Sequence, residues 1–152
     1  MARDETKPDP LDVLVSARTG LRSRFDDFRR ALERRDEEAY RVALRDFHRE
    51  LLRWTDAEER VLLPAIGRVG IPGRDPNREL KLEYVQLREL TRYVLEQISQ
   101  NGRLADVLGL VDNLERRLSA HESEMEKVYY PAVAAALTIE ELRALEGARP
   151  PD

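Results

Sequence analysis

The residues best suited to chemistry lie in two similar stretches of the chain. Residues 54–66, WTDAEERVLLPAI, and residues 121–133, HESEMEKVYYPAV, align at an offset of 67. Trp54 takes the place of His121 in this alignment, and both stretches continue with acidic residues, an apolar run and a proline. Repeated helical hairpins with acid near a histidine position are typical of bundles that hold metal ions between their halves. The chain has only two histidines, however, so most imidazoles of such a site are missing.

Other classes of chemistry find little support in the sequence. There is no cysteine, which excludes a disulfide framework, a thiolate nucleophile and cysteine-based zinc or iron–sulfur sites. Neither a glycine-rich phosphate loop nor a serine–histidine–acid motif is present. The sequence therefore predicts a protein that is not an enzyme.

Composition and charge predict one soluble domain. The 152 residues are 41% hydrophobic and 37% charged, which is enough for a core beneath a highly charged surface. The net charge is only −4 and no single-sign stripe is visible, so no nucleic-acid partner is expected. The polar start of the chain does not resemble a signal peptide, and no apolar run approaches the ~20 residues of a membrane span. We expect a cytoplasmic protein with no membrane partner.

Apolar residues recur at helical spacing through most of the chain, without alternation of period two. The predicted fold class is all-α, an antiparallel up-down four-helix bundle with a short C-terminal helix. Asp9 and Asp75, each followed by proline, predict helix starts, as does Asp36. Thr138 with Glu141 predicts a capping box for the last helix.

Three segments follow from this pattern: a flexible N-terminal tail at 1–9, the bundle at 10–137, and a short helix with a tail at 138–152. The glycines and prolines of residues 67–77 predict a longer connection between the two halves. Pro64 and Pro131 occupy equivalent places in the repeat, and each removes a backbone donor. We therefore expect each to kink or end its helix.

The repeated stretches resemble the haemerythrin-like family, the HHE cation-binding domain. The resemblance covers about residues 10–137, and its strongest marks are AEERV at 57–61 and EKVYYP at 126–131. In that family the second and fourth helices bear a histidine, a carboxylate about a turn later and a proline shortly after. The resemblance implies a four-helix bundle whose histidines and carboxylates hold two oxygen-bridged irons that bind or sense dioxygen.

Most of the ligand positions that the resemblance implies hold other residue types in this chain. The histidine position of the first helix falls on Arg18, that of the second on Trp54 and that of the third on Tyr84. The next ligand position of the third helix falls on Arg88. A di-iron oxygen carrier needs several neutral imidazoles, so the resemblance implies a degenerate metal-ligand set.

Three ligating residues remain at the positions that the resemblance implies, namely Glu58, His121 and Glu126. Together with the phenol of Tyr84 they define an alternative interpretation as a metal site. Iron, mononuclear or dinuclear, or manganese held by two carboxylates, an imidazole and a phenolate is chemically reasonable. Such a site would suit a sensor better than an oxygen carrier.

Arg18 suggests that the former ligand positions hold an ion-pair network rather than a metal. It shares an apolar stripe with Leu14 and Leu21, and a guanidinium that faces a core must be paired. Glu58 is the expected partner, with Glu126 or His121 nearby. The hypothesis is that Arg18 replaces the charge of the metal cations. The vestigial site and its ion-pair network then consist of Arg18, Trp54, Glu58, Arg88, His121 and Glu126, with Trp54 as core packing.

Two main functions remain open. The first is a bundle that has lost its di-iron centre, carries no cofactor, and has a structural, interaction or regulatory role through an unknown protein partner or self-association. The second is an iron or manganese sensor that uses Glu58, Tyr84, His121 and Glu126. A pocket for a small apolar ligand at the former metal position ranks last, because the bulk of Trp54 would fill it.

Overall fold

The computed structural model describes residues 8–148, and within this range the protein is helical, with no strand. The long helices are α1 (Pro10–Glu33), α2 (Glu37–Ala57), α4 (Pro76–Ser99) and α5 (Leu104–Glu124). The short ones are α3 (Leu63–Val69), α6 (Tyr130–Val133) and α7 (Ile139–Gly147). The predicted all-α class is confirmed. Most of the predicted N-terminal tail, and the end of the C-terminal one, lie outside the described residues.

The four long helices bury one apolar core. Helix α1 packs along α2, α2 packs on α4, and α4 packs on α5, while α7 closes against α1. Phe25 lies within this core, and its ring is edge-on to those of Phe28 and Phe47. The ring centroids of Phe25 and Phe47 are 5.3 Å apart. None of the helices in the described part of the chain is both long and apolar enough to cross a membrane.

The predicted helix starts are confirmed at the level of individual hydrogen bonds. The side chains of Asp9, Asp36 and Asp75 each accept a bond from a backbone N–H in the first turn of the following helix. Thr138 accepts a bond from the Glu141 N–H while the Glu141 carboxylate accepts one from the Thr138 N–H, which completes the capping box. These bonds satisfy orphan donors that every helix start leaves.

The two prolines of the repeat do not end their helices, so of the two expected outcomes, a kink or an end, the second is wrong. Helix α2 continues through a π-helical turn, Glu58–Leu62, into α3, and α5 continues through a second one, Met125–Tyr129, into α6. The wider turn lets the Leu63 N–H reach the Glu58 carbonyl, five residues back. Each proline then falls in the first turn of a new helical segment, where its missing N–H costs little.

The π turns begin at equivalent places in the sequence repeat, Glu58 in the first half and Met125 in the second. The repeat is therefore a repeat of backbone geometry as well as of residue types. Each π turn adds one residue to its helix and rotates every later side chain around the axis. Such turns occur frequently at functional sites, and here they lie where acid and histidine positions face each other.

Candidate functional site

A buried carboxylate–imidazole pair joins the two halves of the bundle. Glu58, at the start of the first π turn, is fully buried, and His121, in the last turn of α5, is 6% exposed. His121 Nε2 lies 3.3 Å from Glu58 Oε2. His121 Nδ1 lies 3.3 Å from the Oε1 atom of Glu83 on α4. One imidazole therefore connects carboxylates from two other elements.

The surroundings of His121 hold it in its charged form. Burial alone lowers the pKa of His121, but the charge of Glu58 and its hydrogen bond, together with Glu83, raise it to about 10. At neutral pH the ring is therefore an imidazolium, and both of its N–H groups can donate to carboxylates. The positive charge of His121 compensates the negative charge that Glu58 brings into the core.

Two buried tyrosines complete the surroundings of Glu58. Tyr84 is fully buried, and its ring lies edge-on to the His121 ring at a centroid distance of 5.5 Å. Burial raises the pKa of Tyr84 well above its usual value, and the negative charge of Glu58 adds to this. The same two causes, in the same order, raise the pKa of Tyr130. Both phenols are therefore neutral near Glu58.

Several polar atoms of this region have no hydrogen-bond partner among the described residues. Glu58 Oε1 and the Tyr84 hydroxyl make no hydrogen bond of normal geometry, although the hydroxyls of Tyr84 and Tyr130 both interact with the Glu58 carboxylate. Arg18 Nε and Glu122 Oε1 are two more such atoms. A buried polar atom that makes no hydrogen bond costs about 1–3 kcal/mol. The cluster therefore does not contribute to stability as an apolar core would, and a cost of this kind is typical of a present or former functional site.

Arg18 does not pair with Glu58, so this part of the sequence-based hypothesis is wrong. Its Nη1 atom lies 3.7 Å from Glu122 Oε2 and 3.4 Å from Glu126 Oε2. The Arg18 side chain is 22% exposed, that of Glu122 is 13% exposed and that of Glu126 is 55% exposed, so the contact extends from the edge of the bundle into its partly buried part. The Glu58 carboxylate contacts His121 of α5 instead.

We expect the substitution Arg18→Ala to cost about 1–2 kcal/mol, since its contact with the exposed Glu126 contributes little and only the less exposed Glu122 loses a needed cation. Urea unfolding at neutral pH measures this, with Arg30→Ala as a matched control. Arg30 pairs with Asp27 on the exposed side of the same helix, and its loss should cost less than about 0.5 kcal/mol. A loss of several kcal/mol for Arg18→Ala would show that Arg18 compensates a buried carboxylate charge after all.

Arg88 contacts the end of α2 and the first π turn, and Trp54 lies in the core near the end of α2. Arg88 Nε donates to the Thr55 hydroxyl at 2.8 Å, and its Nη1 atom lies 3.2 Å from Glu59 Oε1. Helix α4 is thereby tied to α2 by a cation at a position where the family resemblance implies a ligand. Trp54 is 3% exposed and belongs to the apolar core, as expected.

The candidate metal set is only partly assembled. Glu58, Tyr84 and His121 lie together, whereas Glu126 is half-exposed and pairs with Arg18. Within residues 8–148, no three histidine, aspartate or glutamate side chains form a group that could hold a metal ion. The ligand assignments from sequence therefore stay predictions, and the geometry favours them for only part of the set.

Sequence reasoning missed three members of the cluster, namely Glu83, Glu122 and Tyr130. Glu83 precedes Tyr84, and its contact with His121 depends on how α4 is rotated. Glu122 had a signal that was available, because it lies four residues before Glu126, a spacing that places two side chains on one face of a helix. Tyr130 had none, because the extra residue of the second π turn is what places it beside Glu58.

The comparison with known families agrees with the geometry. A family model described as the Hemerythrin HHE cation binding domain matches residues 9–133. The match covers most of the chain, and this protein therefore belongs to the hemerythrin HHE family. Comparisons with curated proteins and with solved structures found no significant match.

Proposed function

We propose that this protein is a hemerythrin-family bundle in which an internal ion pair has replaced the di-iron centre, and that it acts through protein interaction rather than catalysis. The observation that carries the proposal is the direct contact between Glu58 and His121. A carboxylate and an imidazole at the family's ligand positions here neutralise each other. Neither is then available to a cation without the loss of this pair.

The remaining donor set does not fit a centre of two irons. Arg18, Trp54 and Arg88 stand at positions where the family resemblance implies ligands, and none of these side chains coordinates iron. Two of them add positive charge, which opposes the binding of a metal cation. Trp54 also fills core volume next to the site. No step of a reaction at iron follows from such an arrangement.

A role in interaction is supported by what the bundle presents to solvent. Its surface combines a near-neutral mixture of charges with exposed apolar side chains on several helices, among them Val42, Leu52, Leu82 and Tyr93. Exposed apolar residues that lie together on one helix face are typical of binding surfaces. A structural or regulatory protein would use such faces, and it would need no catalytic group.

One observation favours the second candidate, an atypical site for a single iron or manganese ion. Glu58 Oε1 and the Tyr84 hydroxyl are both buried and make no hydrogen bond of normal geometry, and His121 lies beside both residues. A carboxylate, a phenol and an imidazole offer three donors from three elements. A metal ion there would require that His121 and Tyr84 both release their protons, and the surroundings of these two groups disfavour that release.

Thermal unfolding with and without metal separates the two candidates. We expect the Tm to stay within about 1 °C when a chelator, ferrous iron or manganese is added. A metal at one hundred times its Kd would add about 2.7 kcal/mol, which is several degrees for a domain of this size. A rise of that size that disappears in Glu58→Gln would establish the second candidate and contradict the first.

A further inference from the structure

The outward face of α4 carries an apolar stripe. Leu82, Val85 and Tyr93 are 56%, 45% and 48% exposed, which is high for large apolar side chains. Their spacing places all three on one side of the helix, opposite the buried Leu80, Tyr84 and Leu87. The other helices of the described bundle leave this face uncovered.

Two charges mark the ends of the same face. Arg78 lies in the first turn of α4 and Glu96 in its last turn, and both are exposed. The helix dipole favours acidic residues at the start of a helix and basic ones at its end, so both charges have the unfavourable sign. The last turn of α4 contains no basic residue. Glu96 contacts Arg92 of the same helix at 3.5 Å, but both side chains are well exposed and such a pair contributes little. A binding partner of matching charge would stabilise both Arg78 and Glu96.

We propose that this face of α4 binds the same face of a second copy of the chain, with the two helices antiparallel. In that orientation the ends of unlike charge meet, so Arg78 of one copy faces Glu96 of the other. In the same arrangement Leu82 of one copy faces Tyr93 of the other, and the two-fold axis passes near Leu87. The pattern is self-complementary, as a two-fold symmetric interface requires.

The centre of the face fits the same arrangement. Glu89 lies in the middle of the stripe and would meet Gln86 of the second copy. The Oε1 atom of Gln86 accepts a bond from Arg117 Nη1 at 3.0 Å. Its amide NH₂ group is left to donate to the incoming Glu89 carboxylate, so the charge in the centre of the interface gains a hydrogen bond.

The expected dimer is weak. Helix α4 has 24 residues and is therefore about 36 Å long. One pair of helices of this length makes an interface at the small end of the range for specific complexes. We expect exchange between monomer and dimer at micromolar concentration. The proposal names the partner for the interaction role above and rests on that role, but it does not depend on the loss of the metal centre.

Sedimentation velocity on the full chain over a concentration series tests the proposal. Wild-type protein should form a dimer. Arg78→Glu and Glu96→Arg should each weaken it by about tenfold or more, because two attractive contacts become repulsive. The double variant Arg78→Glu/Glu96→Arg restores unlike pairs, and its Kd should return to within about threefold of wild type. Arg45→Glu, on the exposed face of α2, is the matched control and should leave the dimer intact.

The single variants also report on the monomer. Each places on α4 a charge that its dipole favours, whereas Glu96→Arg also removes the Arg92 contact and puts two cations one turn apart. Each of these effects is only about 0.2–0.5 kcal/mol, so the helix should keep its stability, and circular dichroism checks this. A monomeric wild type at all concentrations, single variants equal to Arg45→Glu, or a double variant that stays dissociated would each overturn the proposal. Iron content measured on the same samples keeps the two proposals apart: a dimer that binds iron contradicts only the metal-loss proposal, and an iron-free monomer contradicts only this one.

Discussion

Replacing His121 with alanine should lower the free energy of unfolding by about 3–5 kcal/mol, because it leaves the buried Glu58 carboxylate without its cation. Part of this loss is the missing side chain, but most of it is the uncompensated charge. The chain offers a matched control in His48, its other histidine. His48 is half-buried on α2, and burial lowers its pKa, so it is a neutral group. His48→Ala should cost less than about 1 kcal/mol, as a partly exposed site does.

A second substitution separates the charge from the packing. In the His121→Ala background, Glu58→Gln removes the stranded charge and keeps the shape of the side chain. The double variant should therefore recover a large part of the lost stability, and a double-mutant cycle by urea unfolding measures the coupling. If His121→Ala is no worse than His48→Ala, or if Glu58→Gln adds to the loss, the two groups do not act as an ion pair.

The stability of the protein should fall as the pH rises from about 6.5 to about 10. An unfolded histidine has a pKa near 6.5, whereas Glu58 and Glu83 overcome the effect of burial and raise that of His121 to about 10. In this window the folded state keeps a proton that the unfolded state has released, so each step to higher pH favours unfolding. The contribution is complete below pH ~6.5 and is lost above ~10, with a total on the order of a few kcal/mol.

Urea unfolding at pH 6.5, 8 and 9.5 and constant ionic strength measures this dependence. The groups that face His121 are Glu58, Glu83 and Tyr84, with Glu122 next to it in sequence. Above pH 10 the raised pKa of Tyr84 adds a dependence of the same sign. A His121→Asn variant should lose the slope between pH 6.5 and 9.5. A wild-type stability that is flat or rises across this window would contradict the charged state of His121.

The fold could be predicted from the sequence because each of its determinants is local. The starts at Asp9, Asp36 and Asp75 depend on one side chain and a backbone N–H two or three residues further on. The helical period of apolar residues then decides which face of each helix is buried, and Phe25 and Phe47 meet as that period requires. None of these features depends on how one helix is rotated against another.

The site could be predicted only in part because its contacts depend on that rotation. The repeat placed Glu58 and His121 on facing stripes, and they do meet. The partner of Arg18 was assigned wrongly as Glu58, because the sequence does not show how α1 is rotated against α5 and the turn after it, which supply Glu122 and Glu126. Nor does it show the π turns, and Tyr130, which follows the second one, was missed for that reason. One added residue in a helix changes the direction of every side chain after it by about 100°.

Elemental analysis after iron loading tests the central claim most directly. The protein is incubated with excess ferrous iron without oxygen, desalted and assayed for metal, with Glu58→Gln and His121→Ala variants treated in parallel. We expect close to zero iron per chain in all three samples, because the carboxylate and imidazole are bound to each other. About one iron per wild-type chain, absent from both variants, would contradict the account and establish a metal site at Glu58 and His121.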